Sequence, residues 1–158
     1  MKKLILISLL LVFLFASCKQ EYDILSYQEN TIEANCTVND KYRIIITKNA
    51  ERSSLRVLEP ESMEGICFEV ENGNAYAIKD EMRISVSKKS LEGICAILNS
   101  FSLDEESITT VKQNNVISFD TEYGLYSVTY GENNLPYHFS IISDTYEYEI
   151  TVNSLKIQ

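Results

Sequence analysis

The sequence predicts an α+β domain that is mostly β: a curved antiparallel sheet of about 11 strands, an open half-barrel, packed around one amphipathic helix. Two observations lead to this prediction. From Thr31 onward, short runs rich in β-branched and aromatic residues alternate with turn residues, which is typical of an antiparallel sheet. Residues 90–101 instead repeat their apolar positions at helical spacing. A sheet of this size buries the apolar stripe of one helix most simply by curling around it.

An export signal is predicted over residues 1–17. Lys2 and Lys3 precede a stretch from Leu4 to Ala16 that is apolar except for Ser8, as in the n-region and h-region of a secretory signal. This stretch is shorter than the roughly 20 apolar residues of a membrane-spanning helix. We therefore expect the segment to be cleaved and not to remain as a span.

Cys18 is the predicted site of lipid attachment. The preceding residues resemble a lipobox, with small residues at the last two positions: Leu14-Phe15-Ala16-Ser17. A thiol is needed because the diacylglyceryl group is attached through a thioether. Each buried methylene contributes about 0.8 kcal/mol, so two or three acyl chains such as palmitate anchor a protein stably. An ordinary secretory signal cleaved elsewhere is the alternative, and it leaves Cys18 without a role.

This signal predicts a lipoprotein of the bacterial cell envelope, held by lipid on the extracytoplasmic side of a membrane. Residues 18–30 are polar and are interpreted as a tether. Residues 31–158 are interpreted as a single domain, which is within the usual size for one hydrophobic core.

Eleven strands are predicted in this domain. Their approximate limits are 31–38, 41–48, 53–58, 64–71, 75–79, 82–86, 107–113, 116–121, 125–130, 136–142 and 146–152. Asn72-Gly73 is the strongest hairpin signal between them, because a type I′ turn needs positive φ at both central positions. Pro60 and Pro136 fall at strand edges, where a missing N–H is tolerated.

The helix is predicted over residues 90–101, with Ser90 available as its N-cap. Its apolar positions are Leu91, Ile94, Cys95, Ile97, Leu98 and Phe101. Gly93 costs about 1 kcal/mol relative to alanine in a helix, so tertiary packing has to hold the helix in place.

The chain is acidic, with a net charge of −9 at pH 7, and loss of Lys2 and Lys3 with the signal makes it more so. Such a field repels nucleic acid and anionic lipid head groups. We therefore expect no nucleic-acid partner, and solubility is the simplest explanation of the charge.

Three cysteines follow Cys18, namely Cys36, Cys67 and Cys95. An odd number allows at most one internal disulfide in an oxidising compartment. Cys36 shares a period-two apolar face and Cys95 shares the helical stripe, which favours buried thiols. With no CxxC pair and only one histidine, His138, no metal site and no cofactor are expected.

Several stretches of the domain resemble a known family. They are Leu55-Arg56-Val57-Leu58-Glu59-Pro60, Met63-Glu64-Gly65-Ile66-Cys67-Phe68, the Asn72-Gly73 hairpin, a helix after Ser90 and the closing Asn134-Leu135-Pro136 hairpin. Together they resemble small Firmicutes lipoproteins, which are similar to the LolA/LolB-like superfamily of lipoprotein carriers. The resemblance covers about residues 31–155. It implies a half-barrel with a concave apolar cavity for acyl chains or for a hydrophobic segment of a partner. A lipid-anchored member would resemble the anchored acceptor of that system.

Catalytic signatures are missing from the sequence. It contains no Gly-x-Ser-x-Gly elbow, phosphate-binding loop or His-Glu-x-x-His motif. Glu147 and Glu149 share one strand face and are interpreted as a solvated surface, as is His138. We therefore expect a protein that is not an enzyme.

Aromatic residues crowd the last strands, and by alternation they are expected on one side, as core or as a Tyr-lined groove. The candidate ligand-binding residues are Leu91, Leu98, Phe101, Tyr126, Tyr130, Tyr137, Phe139, Tyr146 and Tyr148. Two functions remain open: a carrier or acceptor that holds acyl chains of a lipid or lipoprotein, and a non-enzymatic protein that binds and stabilises an envelope protein. A continuous apolar groove favours the first, whereas a concave face filled by Leu91, Leu98 and Phe101 favours the second.

Overall fold

The computed structural model of the protein describes residues 23–112 and 115–158. The predicted signal and Cys18 lie outside the described residues. No helix among the described residues is both long enough and apolar enough to cross a bilayer.

In the described part of the chain, eleven strands form one open antiparallel sheet, which confirms the predicted fold class. They are β1 (Ile32–Val38), β2 (Tyr42–Lys48), β3 (Arg52–Glu59), β4 (Cys67–Glu71), β5 (Asn74–Lys79), β6 (Met82–Val86), β7 (Ile108–Lys112), β8 (Val116–Thr121), β9 (Gly124–Tyr130), β10 (Pro136–Ile142) and β11 (Glu147–Ile157). Their order in the sheet is β6-β5-β4-β3-β2-β1-β11-β10-β9-β8-β7. The first and last strands therefore pair at the centre, and β6 and β7 are the two edges.

The turns follow the predicted chemistry. Asn72 and Gly73 have φ of 48° and 79° between β4 and β5, so the type I′ hairpin is confirmed. Asn39 and Asp40 also have positive φ, 50° and 53°, between β1 and β2. Asparagine and aspartate tolerate this left-handed region better than other side chains with a Cβ.

One α-helix is present among the described residues, α1 (Glu92–Asn99), preceded by a 3₁₀ helix at Lys88–Leu91. This segment joins β6 to β7, the two edges of the sheet, so the chain must cross the concave face between them. The helix buries Cys95, Ala96, Ile97 and Leu98 against that face. The prediction of Ser90 as N-cap was wrong. The helical segment starts a turn earlier, and the Ser87 side chain accepts a hydrogen bond of 3.2 Å from the backbone N–H of Ser90.

The core lies between α1 and the concave face. Burial alternates along β1, where every second residue from Ile32 to Val38 is buried. Cys36 and Cys95 are buried and Cys67 is half-buried, and all three are free thiols. The interpretation as core thiols is therefore confirmed for Cys36 and Cys95.

A 3₁₀ helix at Asp23–Glu29 precedes β1 and packs on the domain. Tyr27 is buried in the core. Lys48 Nζ donates to the carbonyl oxygens of Gln28 and Phe101, at 3.0 and 2.8 Å, and burial lowers the pKa of Lys48. The segment predicted as a tether, residues 18–30, therefore includes residues that belong to the folded domain.

Candidate ligand-binding cavity

An apolar cavity of about 240 Å³ lies between α1 and one half of the concave face. Its floor is formed by short aliphatic side chains of three adjacent strands: Val38, Ile44, Leu55 and Val57. All four are buried. They share the concave face because strand pairing places Ile44 beside Val57 and Leu55 beside Phe68, and residues paired across strands face the same side.

The roof and rim of the cavity come from other elements. Ile94 and Ile97 of α1 lie over the floor. The rim consists of four half-buried side chains, namely Tyr42, Met63, Phe68 and Tyr148. The cavity therefore opens to solvent along one side of the helix.

Gly93 lets the helix lie this close to the sheet. A Cβ built at position 93 would collide with the hydroxyl oxygen of Tyr148. Tyr148 in turn stacks on Tyr146, with ring centroids 5.3 Å apart. The Tyr146 hydroxyl donates to the carbonyl oxygen of Tyr123 at 2.8 Å. The side of the cavity next to the helix is thus a stacked and hydrogen-bonded tyrosine pair.

The cavity offers shape and apolar area but almost no polar chemistry. Among the described residues that line it, the only polar side-chain atoms are the hydroxyls of Tyr42 and Tyr148, and burial raises the pKa of Tyr148, which keeps that phenol neutral. Lys41 places its ammonium group 5.1 Å from the centroid of the Tyr42 ring. Such a lining binds an apolar ligand and orients it by few hydrogen bonds.

The structure divides the predicted ligand-binding residues between cavity and core. Of the nine, only Tyr148 lines the cavity. Leu98 lines a second recess of about 160 Å³ beside Val70 and Tyr123, and Leu91 and Tyr146 are half-buried. The others with buried side chains fill the opposite half of the concave face: Phe101, Tyr126, Tyr130 and Phe139.

Tyr137 was predicted on the same side as Phe139, and this was wrong. The pairing of β10 with β9 shifts between Pro136 and His138. This irregularity breaks the alternation, so Tyr137 is 50% exposed while Phe139 is fully buried. A β-bulge of this kind redirects the side chains on one side of it.

Nine of the ten lining residues were missed by sequence reasoning, which concentrated on the aromatic C-terminal strands. A usable signal was present in β1–β3. Their inward positions are short aliphatics, so they fill less of the space under the helix than aromatic rings do. Gly93 in the helix was the matching signal, because glycine permits close approach of another side chain.

The outer face of β10 and β11 holds the titratable residues that were interpreted as surface. His138 Nε2 lies 3.0 Å from Glu149 Oε2, and Ser140 donates to the other carboxylate oxygen of Glu149 at 2.7 Å. These groups point away from the cavity. Within residues 23–112 and 115–158, no three His, Cys, Asp or Glu side chains come together as a metal site would require.

The fold defines the class of this protein: an open antiparallel sheet wrapped around one helix, with an apolar cavity between them. No protein-family profile matches the sequence, and no curated protein matches it either. An uncharacterized conserved protein from Thermus thermophilus has a similar structure, with a TM-score of 0.54, 10% identity and coverage of 88% of this chain and 86% of that one.

Two further solved structures are similar at lower scores. A LolA superfamily protein from Nitrosomonas europaea has a TM-score of 0.47, 11% identity and coverage of 86% and 92% of the two chains. A putative outer membrane lipoprotein-sorting protein domain from Vibrio parahaemolyticus has a TM-score of 0.43, 8% identity and coverage of 87% and 92%. At these identities the likeness concerns the fold alone.

Proposed function

We propose that this protein is a lipid-anchored envelope lipoprotein whose half-barrel binds an acyl chain of a lipid or lipoprotein, without catalysis. The observation that carries the proposal is the open cavity of about 240 Å³, whose ten lining residues are all aliphatic, aromatic or methionine. A saturated chain matches such a lining because it needs no hydrogen bonds.

The size of the cavity limits how much ligand it holds. A water-sized group occupies about 30 Å³ in a liquid, so the cavity accommodates roughly eight methylene-sized groups. At about 0.8 kcal/mol for each buried methylene, this gives about 6 kcal/mol. Since a Kd of 1 µM corresponds to about 8 kcal/mol, we expect affinity between micromolar and millimolar for one chain.

Anchoring through Cys18 offsets this modest affinity. Asp23 begins the 3₁₀ helix packed on the domain, and five residues span at most about 17 Å. A lipid on Cys18 would therefore hold the domain near the bilayer surface. Tethering of this kind converts weak binding into an encounter at high effective concentration.

Binding is tested with the mature chain carrying Cys18→Ser, titrated with dodecanoate by calorimetry. Ile94→Trp fills the roof of the cavity with a larger ring, and we expect it to weaken binding at least tenfold. Leu91→Trp is the matched control, since Leu91 is also half-buried at the helix start but does not line the cavity. Equal binding by the Ile94→Trp variant and the parent, or no dodecanoate binding together with no co-purified lipid, contradicts the proposal.

Attachment is tested separately by labelling cells with radioactive palmitate. The full chain is expected to incorporate the label and partition with membranes, and Cys18→Ser is expected to do neither. Continued membrane partitioning of processed Cys18→Ser would overturn the anchor.

A second function, binding and stabilising another envelope protein, is favoured by the filled half of the concave face. There Phe101 and Phe139 are fully buried and pack with ring centroids 5.1 Å apart. Native mass spectrometry of the chain from its host separates the two functions. A stoichiometric protein partner without lipid supports this second function, and bound lipid without such a partner supports the first.

A further inference from the structure

Strand β6 is an edge of the sheet that nothing in the described part of the chain covers. Residues 82–85 are all exposed, and only Val86 is half-buried. Met82 and Ile84 are 63% and 60% exposed, although both are large and apolar. Exposed apolar edge strands are the places where sheets pair with another chain.

The apolar side chains of β6 lie on the concave face. Strand pairing places Leu55, Phe68, Ala77 and Ile84 in one row across β3 to β6. The row begins in the buried core and passes the cavity rim at Phe68. It ends at Ile84, which is exposed to solvent. The apolar surface of the concave face therefore extends to the edge of the sheet, where its last side chain is exposed.

The outer side of β6 has backbone hydrogen-bonding groups that pair with no strand of the described residues. Lys79 pairs with Met82 around the two-residue turn at Asp80 and Glu81. The pair that closes such a turn is hydrogen-bonded, and pairs alternate from there. Met82, Ile84 and Val86 therefore bond to β5, while the N–H and C=O groups of Arg83 and Ser85 point outward.

Charged side chains on an edge strand often prevent it from pairing with another chain, but Arg83 is not placed to do so. Its guanidinium group contacts carboxylate oxygens of Glu69 and Glu71 and lies 3.7 Å from the centroid of the Tyr76 ring. Arg83 is thereby held across the outer face of β4 and β5, away from the edge.

The charges beside β6 are self-complementary. Asp80 and Glu81 precede the strand, and Lys88 and Lys89 follow it. All four are exposed, and none forms an ion pair with the part of the chain that the structure describes. In an antiparallel pair of identical strands, the acidic end of one meets the basic end of the other.

We propose that two copies of this protein pair through β6, antiparallel, about a two-fold axis at Ile84. In this register Arg83 of one copy exchanges hydrogen bonds with Ser85 of the second copy. Ile84 faces Ile84 of the second copy, and Asp80 lies beside Lys88 of the second copy. Pairing covers the exposed apolar side chains and joins the two concave faces into one surface. The inference does not rest on the proposed ligand.

Disulfide cross-linking of the full-length protein in membranes tests this register. Residues opposite each other at the axis have Cα atoms about 4.5–5.5 Å apart, which suits a disulfide. Ile84→Cys is therefore expected to give a covalent dimer on mild oxidation. Met82→Cys is the matched control: it is equally exposed, but the two copies of residue 82 are four positions out of register, about 13 Å apart. The wild type, with its free cysteines, is expected to give no dimer.

Sedimentation of the detergent-solubilised protein gives an independent measurement. The wild type is expected to be dimeric and Ile84→Lys monomeric. Asp80→Lys is expected to weaken the dimer at least fivefold, and adding Lys88→Asp to restore it. A monomeric wild type overturns the proposal. So does cross-linking of Met82→Cys as efficient as that of Ile84→Cys, or cross-linking of Ile84→Cys only to a different protein.

Discussion

The two halves of the concave face share a strand pattern but differ in what fills them. On β8–β10, large side chains such as Phe119, Tyr126 and Phe139 are fully buried. On β1–β3, shorter side chains such as Val38 and Val57 leave the cavity beneath the helix. The difference in side-chain volume, with the same alternation, separates a packed half from an open half.

The helix is fastened to the packed half. The Tyr126 hydroxyl donates to the carbonyl oxygen of Ala96 at 2.8 Å. Just beyond the helix, the ring of Phe101 packs against Phe139 of β10, with ring centroids 5.1 Å apart. We infer that the packed half supplies most of the stability and so lets the open half keep a void, which on its own is unfavourable.

The largest difference in stability between the two halves is expected when one aromatic ring is removed from each. Phe101→Ala empties a fully buried site and is expected to lower the free energy of unfolding by about 3–5 kcal/mol. Phe68→Ala removes a half-buried ring that already faces the cavity, and is expected to cost at most about 2 kcal/mol. Urea unfolding of both variants measures the contrast. Equal losses would show that the two halves contribute alike.

Gly93 tests how closely the helix lies over the open half. Gly93→Ala improves helix propensity by about 1 kcal/mol, yet its Cβ meets the Tyr148 hydroxyl. Overpacking typically costs about 1–3 kcal/mol, so after the gain in helix propensity we expect a net loss of stability of up to about 2 kcal/mol. Tyr148→Phe removes the colliding oxygen, so the double variant should recover stability to that of the parent or above. A stabilised Gly93→Ala single variant would contradict this packing.

Cys36 lies on β1, the central strand of the sheet, and its burial predicts that the free energy of unfolding depends on pH in the alkaline range. Burial raises the pKa of Cys36 from its ordinary value of 9.0 to about 12. The unfolded chain therefore loses this proton first, and stability falls as pH rises above about 9. The slope for one proton is at most about 1.4 kcal/mol per pH unit.

Cys36→Ala is expected to flatten the fall in unfolding free energy between pH 9 and 11. Cys67→Ala is the control and should flatten it less, because Cys67 is only half-buried. Parallel curves for wild type and Cys36→Ala would contradict a buried neutral thiol in the folded protein.

The sequence predicted the fold further than it predicted the site. Alternation and turn residues located the eleven strands that the described residues form, because burial on one face imposes a period of two. Helical spacing located the helix, although the cap was misplaced at Ser90. The cavity was harder to predict because it forms only where the side chains of several strands together fill too little space. No single residue such as Val57 indicates it. The prediction for Tyr137 was wrong for another reason. The register shift after Pro136 turns the side chain of Tyr137 to the other face of the sheet, and the alternation of residue types does not reveal such a shift.

The smallest expected effect concerns the two tyrosines that approach the helix, one from each half. Tyr126→Phe leaves the ring in place but removes the hydrogen bond to Ala96. A buried hydrogen bond contributes about 1 kcal/mol net, so we expect a loss of that size. Tyr148→Phe removes a half-buried hydroxyl at the rim and is expected to change stability by less than about 0.5 kcal/mol. If both variants lose the same amount, the helix is held equally from both sides, and the cavity is then not the result of fastening the helix to one half of the sheet.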